Sequence, residues 1–193
     1  MESAGRRRLR VFVCFVVLSF FFPARVWPRV IINDLVVQNG QRVMLKAETK
    51  GALFSKGGEL VEFFIDGKSH GKTLSGGDGI AFKPFTPQRT GLHEIQVKSG
   101  GQEDSALLLS LKPGVGIVFV DVQGALLEGR FSRKPKHKSQ NVIQEICDLH
   151  PVVFLQRGFV SLRMTGEWLE DHGFLNLPVV PWRKGKVFDE IAD

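Results

Sequence analysis

From residue 30 to residue 112, short apolar runs alternate with turn residues: VIINDLVV, then QNGQ, RVMLKAET, ELVEFFIDG, GIAFKPF, GLHEIQV and SALLLSL. Turns recur about every ten residues, the spacing of a β-sandwich. Within RVMLKAE, Val43, Leu45 and Ala47 fall on one side of a period-2 strand, and Arg42, Met44, Lys46 and Glu48 fall on the other. Such a strand is half-buried, so a second sheet must cover one face. Asp66-Gly67 suits a tight turn with positive φ, and Gly76-Gly77-Asp78-Gly79 supplies another reversal. Asp66 and Asp78 are therefore expected as turn formers, with calcium binding the weaker reading. His70 and His93 have no partner at ligand spacing and are expected at the surface.

After Pro113-Gly114 the pattern changes. GIVFVDV is a continuous apolar run of the kind that forms a buried parallel strand, and it ends in an acid. A basic loop, a helix around 139–149, a second buried strand PVVFLQ, a helix around 160–172 and a short strand PVVPW follow. This order predicts a partial Rossmann-like α/β unit with a parallel sheet, whose binding sites lie at the carboxyl ends of the strands. Asp121 and Gln156 occupy such ends. The predicted organisation is a signal peptide or N-terminal anchor over 1–29, an all-β sandwich over 30–112 and the α/β unit over 113–193.

Charge and cysteine content change the picture in two places. Of the formal net charge of +6, residues 1–29 carry +5, through Arg6, Arg7, Arg8, Arg10, Arg25 and Arg29 against Glu2. The remainder is nearly neutral, which argues against a nucleic-acid groove. RRRLR followed by VFVCFVVLSFFF is a charged region and then an apolar run too short for a span of about 20 residues. It predicts export, with the product periplasmic, secreted or anchored by this segment, which would be the sole membrane contact. The two cysteines, Cys14 and Cys147, offer no disulfide framework. Val142, Ile143, Ile146 and Cys147 recur at helical spacing, so Cys147 is expected as a small buried hydrophobe.

The stretch VEFFIDGKSHGKTLSGGDGIAFKPFTPQRTGLHEIQV resembles the immunoglobulin-like modules of bacterial surface and exported proteins. VFVDVQGAL resembles the first motif of haloacid dehalogenase (HAD)-like phosphohydrolases, and WLEDHGFLNLPVV is similar to a stretch of their phosphatidate-phosphatase (lipin, LNS2) branch. That resemblance implies that Asp121 is the nucleophile and a Mg²⁺ ligand, and that Gly124 is the turn glycine. It also implies that Gln156 stands at the phosphate-binding hydroxyl and that Lys184 or Lys186 is the phosphate lysine. Gln123 replaces the general acid, a change expected to lower ester hydrolysis by roughly 10²–10⁴-fold. VFDEIAD ends where the family continues to a late acidic pair, and Asp189, Glu190 and Asp193 lie on what reads as the preceding helix.

The expectation is a degenerate, truncated HAD-like unit without turnover, acting as a binding or structural module and needing no cofactor. The alternative is a Mg²⁺-dependent phosphatase built on Asp121. Arg130, Arg133, Lys134, Lys136 and Lys138 form a candidate anion-binding loop, against the plainer reading of a solvated loop. Truncation would leave residues 115–121 as an edge strand, to be covered by a partner, by a second copy or by the sandwich.

Overall fold

The computed structural model describes residues 29–51, 54–129, 132–157 and 160–182. Eight strands form the first unit: β1 (Arg29–Ile32), β2 (Leu35–Gln38), β3 (Val43–Lys50), β4 (Leu60–Ile65), β5 (Lys68–Leu74), β6 (Ile80–Phe85), β7 (Gly91–Ser99) and β8 (Gln102–Leu111). They make two sheets, β1-β3-β6 and β2-β8-β7-β4-β5. The chain changes sheet at each step from β1 to β4, and again between β5 and β6 and between β6 and β7, crossovers of the kind an immunoglobulin-like sandwich makes. The alternation read in RVMLKAE holds, with Leu45 and Ala47 fully buried and Met44 half exposed. Val61, Phe63, Ile95, Val97 and Leu108 of the facing sheet complete the same core, each at 0% exposure.

VIINDLVV is not one strand but two, in different sheets. β1 pairs antiparallel with β3, and β2 pairs parallel with β8. The break falls at Asn33-Asp34, where the Asp34 carboxylate accepts the Leu107 N–H of β8 at 2.8 Å through Oδ1. On the other side of the break, Asp104 of β8 accepts the Ile32 N–H at 3.0 Å. Two acids thus replace the ladder bonds lost where the chain crosses between sheets.

His93 is buried rather than at the surface, because it shares the inward register of Ile95 and Val97 on β7. Its Nδ1 lies 2.8 Å from Asp66 Oδ2 and its Nε2 lies 3.0 Å from the Arg89 carbonyl. His70 is exposed, beside the Pro84 carbonyl. Asp66 is a turn former, at φ 49° ahead of Gly67 at 75°, and it is also a strut. It accepts from Arg89 Nη2 at 2.8 Å and from the Glu94 N–H at 3.0 Å.

Burial pushes the Asp66 carboxyl up. The His93 hydrogen bond, the Glu94 N–H and the charges of His93 and Arg89 outweigh burial and hold the carboxyl below its ordinary 3.8. A depressed native value gives stability that is present above 3.8 and lost as pH falls through the lower native value. Asp66→Asn should therefore cost about 1–2 kcal/mol at neutral pH, the worth of charge-assisted bonds at a part-exposed site. The difference should vanish in acid, and denaturation midpoints of both proteins across pH 2–7 check this.

The second unit holds three parallel strands, β9 (Val118–Asp121), β10 (Val152–Gln156) and β11 (Val179–Pro181), in the order β11-β10-β9. Helix α1 (Ser139–Cys147) follows β9, and α2 (Leu162–Asp171) follows β10. Ser161 caps α2 by accepting the Met164 N–H at 3.2 Å. Val120, Val152 and Phe154 pack on Ile143 of α1 and Leu169 of α2. Cys147 is half-buried against this core, where burial, with the Asp148 charge adding to it, pushes the thiol up. That environment suits an inert thiol.

The other face of the parallel sheet carries Phe119, Val153 and Val180, and it packs on Val36 of β2 and Leu109 of β8. The predicted Rossmann-like domain is thus corrected. Among the described residues only a small parallel sheet of three short strands forms, and the outer face of the sandwich stands where a doubly wound fold places its second helix layer. A parallel sheet needs both faces covered, and here helices cover one and a β-sheet the other. β9 lies at the end of the strand order among the described residues. The sandwich meets the face of β9, through Ile117 and Phe119, rather than its hydrogen-bonding edge. Among the described residues no helix is long and apolar enough to cross a membrane. Residues 1–28, on which the export reading rests, lie outside the described residues.

Candidate binding site at the carboxyl ends of the parallel strands

Because β9, β10 and β11 are parallel, Asp121, Gln156 and Pro181 end at the same side of the sheet. Beyond Asp121 the chain makes a single π-helical turn, Val122–Leu126, and Asp121 caps it by accepting the Gly124 N–H at 3.1 Å. A Cβ at position 124 would lie 2.8 Å from Asp121 Oδ2, so a side chain there would push the carboxylate from this position.

Arg157, the first residue after β10, determines what this carboxylate can do. Its Nη1 donates to Asp121 Oδ2 at 2.9 Å, and its backbone N–H donates to Gln123 Oε1 at 2.9 Å. The guanidinium lies 4.3 Å from the centre of the Trp182 ring. Both Asp121 oxygens are engaged, one by a backbone N–H and one by a cation. The Gln123 amide is tied to the loop after β10 and carries no acidic proton to donate to a leaving group. Gln156 is buried, and its Nε2 donates to the carbonyls of Arg157 and Val160, which holds that loop closed.

In the basic loop, the described residues before 130 pair with those after 131. The Lys136 N–H donates to the Leu126 carbonyl at 2.7 Å, the Glu128 N–H donates to the Lys134 carbonyl at 3.0 Å, and Leu127 bridges Pro135. Trp168 Nε1 pins the loop to α2 by donating to the Arg133 carbonyl at 2.7 Å. Lys136 reaches the site, with Nζ 3.3 Å from the Gly124 carbonyl. Arg133, Lys134 and Lys138 are exposed. Arg130, Lys184 and Lys186 lie outside the described residues, as do Asp189, Glu190 and Asp193.

The structure therefore brings Asp121, Gln123 and Lys136 together, joined by Arg157 and Trp182, which the sequence reading missed. The available signal was a cation directly after a buried apolar strand, at the end where parallel sheets bind. These residues suit Mg²⁺ poorly, because the Arg157 guanidinium already balances the Asp121 charge and would repel a second cation there. Among the described residues, no three His, Cys, Asp or Glu side chains come together to help hold it.

No protein-family model and no curated protein sequence matches the chain. Among solved structures, the chain is similar to the D00-D0 domain of Intimin, at 13% identity over 45% of this chain and 46% of that chain, with a TM-score of 0.36. It is similar to the IG27 protein domain, at 11% identity over 45% of this chain and 99% of that chain, with a TM-score of 0.37. It is also similar to the fibronectin(III)-like modules of CbhA from Clostridium thermocellum, at 17% identity over 45% and 96%, with a TM-score of 0.30. The chain spans about half the length of the intimin fragment. These findings overturn the haloacid dehalogenase resemblance and its lipin-like branch. No family model supports a phosphohydrolase, the second unit is only a small parallel sheet, and the carboxylate read as nucleophile is paired with Arg157. What stands is an immunoglobulin-like sandwich followed by a small parallel sheet.

Proposed function

We propose that the chain is an exported, non-catalytic protein whose small α/β unit serves as a binding or structural module carried on the sandwich. The observation behind this reading is the closure of Asp121. Pairing with a guanidinium and a backbone N–H draws charge from the Asp121 carboxylate and makes it a weaker nucleophile, and the Gln123 amide beside it carries no acidic proton to give. Export is supported by the arginine-rich start and the apolar run that follows it. Lys136 reaches this end, and Arg133, Lys134 and Lys138 are exposed in the same segment beside Glu128, a surplus of cations that suits holding an anionic group rather than transforming it.

The test incubates the full chain with p-nitrophenyl phosphate and Mg²⁺, beside Asp121→Asn. Both proteins are expected to release phosphate at the background rate. Release by the parent chain that disappears in Asp121→Asn would overturn the reading and restore Asp121 as a nucleophile.

A further inference from the structure

Away from the Asp121 end, a cleft of about 510 Å³ opens between the outer face of the five-stranded sheet and the parallel unit. Glu94 of β7 and Leu107 of β8 line one wall, and Leu169 and Glu170 of α2 line the other together with Phe174 and Leu177. This volume lies in the range of ligand-binding clefts, roughly 300–1,000 Å³. Its chemistry is the reverse of the basic loop. Three carboxylates line it, those of Asp34, Glu94 and Glu170, and no Lys or Arg does.

Asp34 is engaged by the N–H groups of Leu107 and Val179. Glu94 and Glu170 are exposed, and neither enters an ion pair among the described residues. One stands on each wall, with apolar side chains between them. Carboxylates lining a low-dielectric cleft attract cations and repel anions. The apolar walls reward a ligand that also brings hydrocarbon to displace water.

We infer that this cleft binds a peptide segment of a partner protein in which Lys or Arg flanks aliphatic or aromatic side chains. Two carboxylates on opposite walls call for two cations, and the apolar surface between them calls for apolar side chains linking those cations. A chain segment supplies both at fixed spacing. The site is separate from the carboxyl ends of the strands, so the phosphate-release assay and the binding assay fail or succeed independently.

The test is fluorescence anisotropy on the full chain with a labelled dodecapeptide of lysine and leucine, beside one with glutamate in place of lysine and one of lysine alone. The mixed basic peptide is expected to bind best, and to weaken at least tenfold in Glu94→Lys/Glu170→Lys and as salt rises. Both side chains are exposed, and the Glu94 N–H bond to Asp66 belongs to the main chain, so the double variant should keep the parent's thermal midpoint. Equal binding of the acidic peptide would overturn the proposal. So would equal binding of the lysine-only peptide, which would reduce recognition to charge alone, or unchanged affinity in the double variant.

Discussion

Asp34→Ala is expected to lower the stability of the folded chain by about 3–4 kcal/mol, because it leaves two part-buried N–H groups without an acceptor. Those groups belong to different units: Leu107 on β8, at 2.8 Å, and Val179 on β11, at 2.7 Å. Within its sheet β11 bonds β10 through Val180 and Trp182, so the Val179 N–H faces outward, and Pro181 has no N–H to offer. Asp34 therefore closes the outer edge of β11 while it turns the chain from β1 to β2. Guanidinium unfolding reads the loss, and faster hydrogen exchange at Val179 and Leu107 identifies its origin. A midpoint within the scatter of the parent would rule this account out.

The pH dependence of the same residue runs opposite to that of Asp66. Burial pushes the Asp34 carboxyl above its ordinary 3.8; the N–H bonds from Leu107 and Val179 oppose this, and the Asp104 charge adds to it. The native chain then holds the proton more tightly than the unfolded chain does. The protonation-linked part of Asp34's contribution is fully present below 3.8 and is lost as pH rises through the higher native value, while the two N–H bonds persist. Asp34→Asn, uncharged throughout, should be milder than Asp34→Ala at pH 7 and should remove this decline.

Most of the sandwich was legible because a strand with one buried face writes its geometry as a period of two. The misses come where a distant group decides the outcome. VIINDLVV keeps its apolar rhythm across Asn33-Asp34, and the break is made by acceptors for N–H groups 73 and 145 residues beyond Asp34. His93 could have been placed inside, since it shares the parity of Ile95 and Val97 in GLHEIQV. In the second unit, the predicted helices around 139–149 and 160–172 match Ser139–Cys147 and Leu162–Asp171 to within two residues at each end. The motif VFVDVQGAL suggested catalysis, yet a buried strand entering a tight, acid-capped turn demands the same residue types. The Arg157 contact, 36 residues away, bears on the choice between them and was not legible in the motif.

Leu109→Asp is expected to uncouple the two units while sparing the sandwich. On β8, Ala106, Leu108 and Ser110 point into the sandwich core, whereas Leu109 points outward and is 7% exposed only because Val153 and its neighbours cover it. A carboxylate there would be unpaired and desolvated against Val36 and Val153, a change that removes about 3–5 kcal/mol from the docking of the parallel unit. The sandwich loses no core side chain and β8 keeps its ladder with β7. Unfolding should therefore split into two transitions, with early protease cleavage in the α/β unit and the strands of the sandwich still protected. The parallel sheet cannot remain folded alone, because the face bearing Phe119, Val153 and Val180 would meet water. A single cooperative transition shifted as a whole would instead show that the Leu109 face supports both units equally, and that the sandwich depends on its appendage as much as the appendage depends on it.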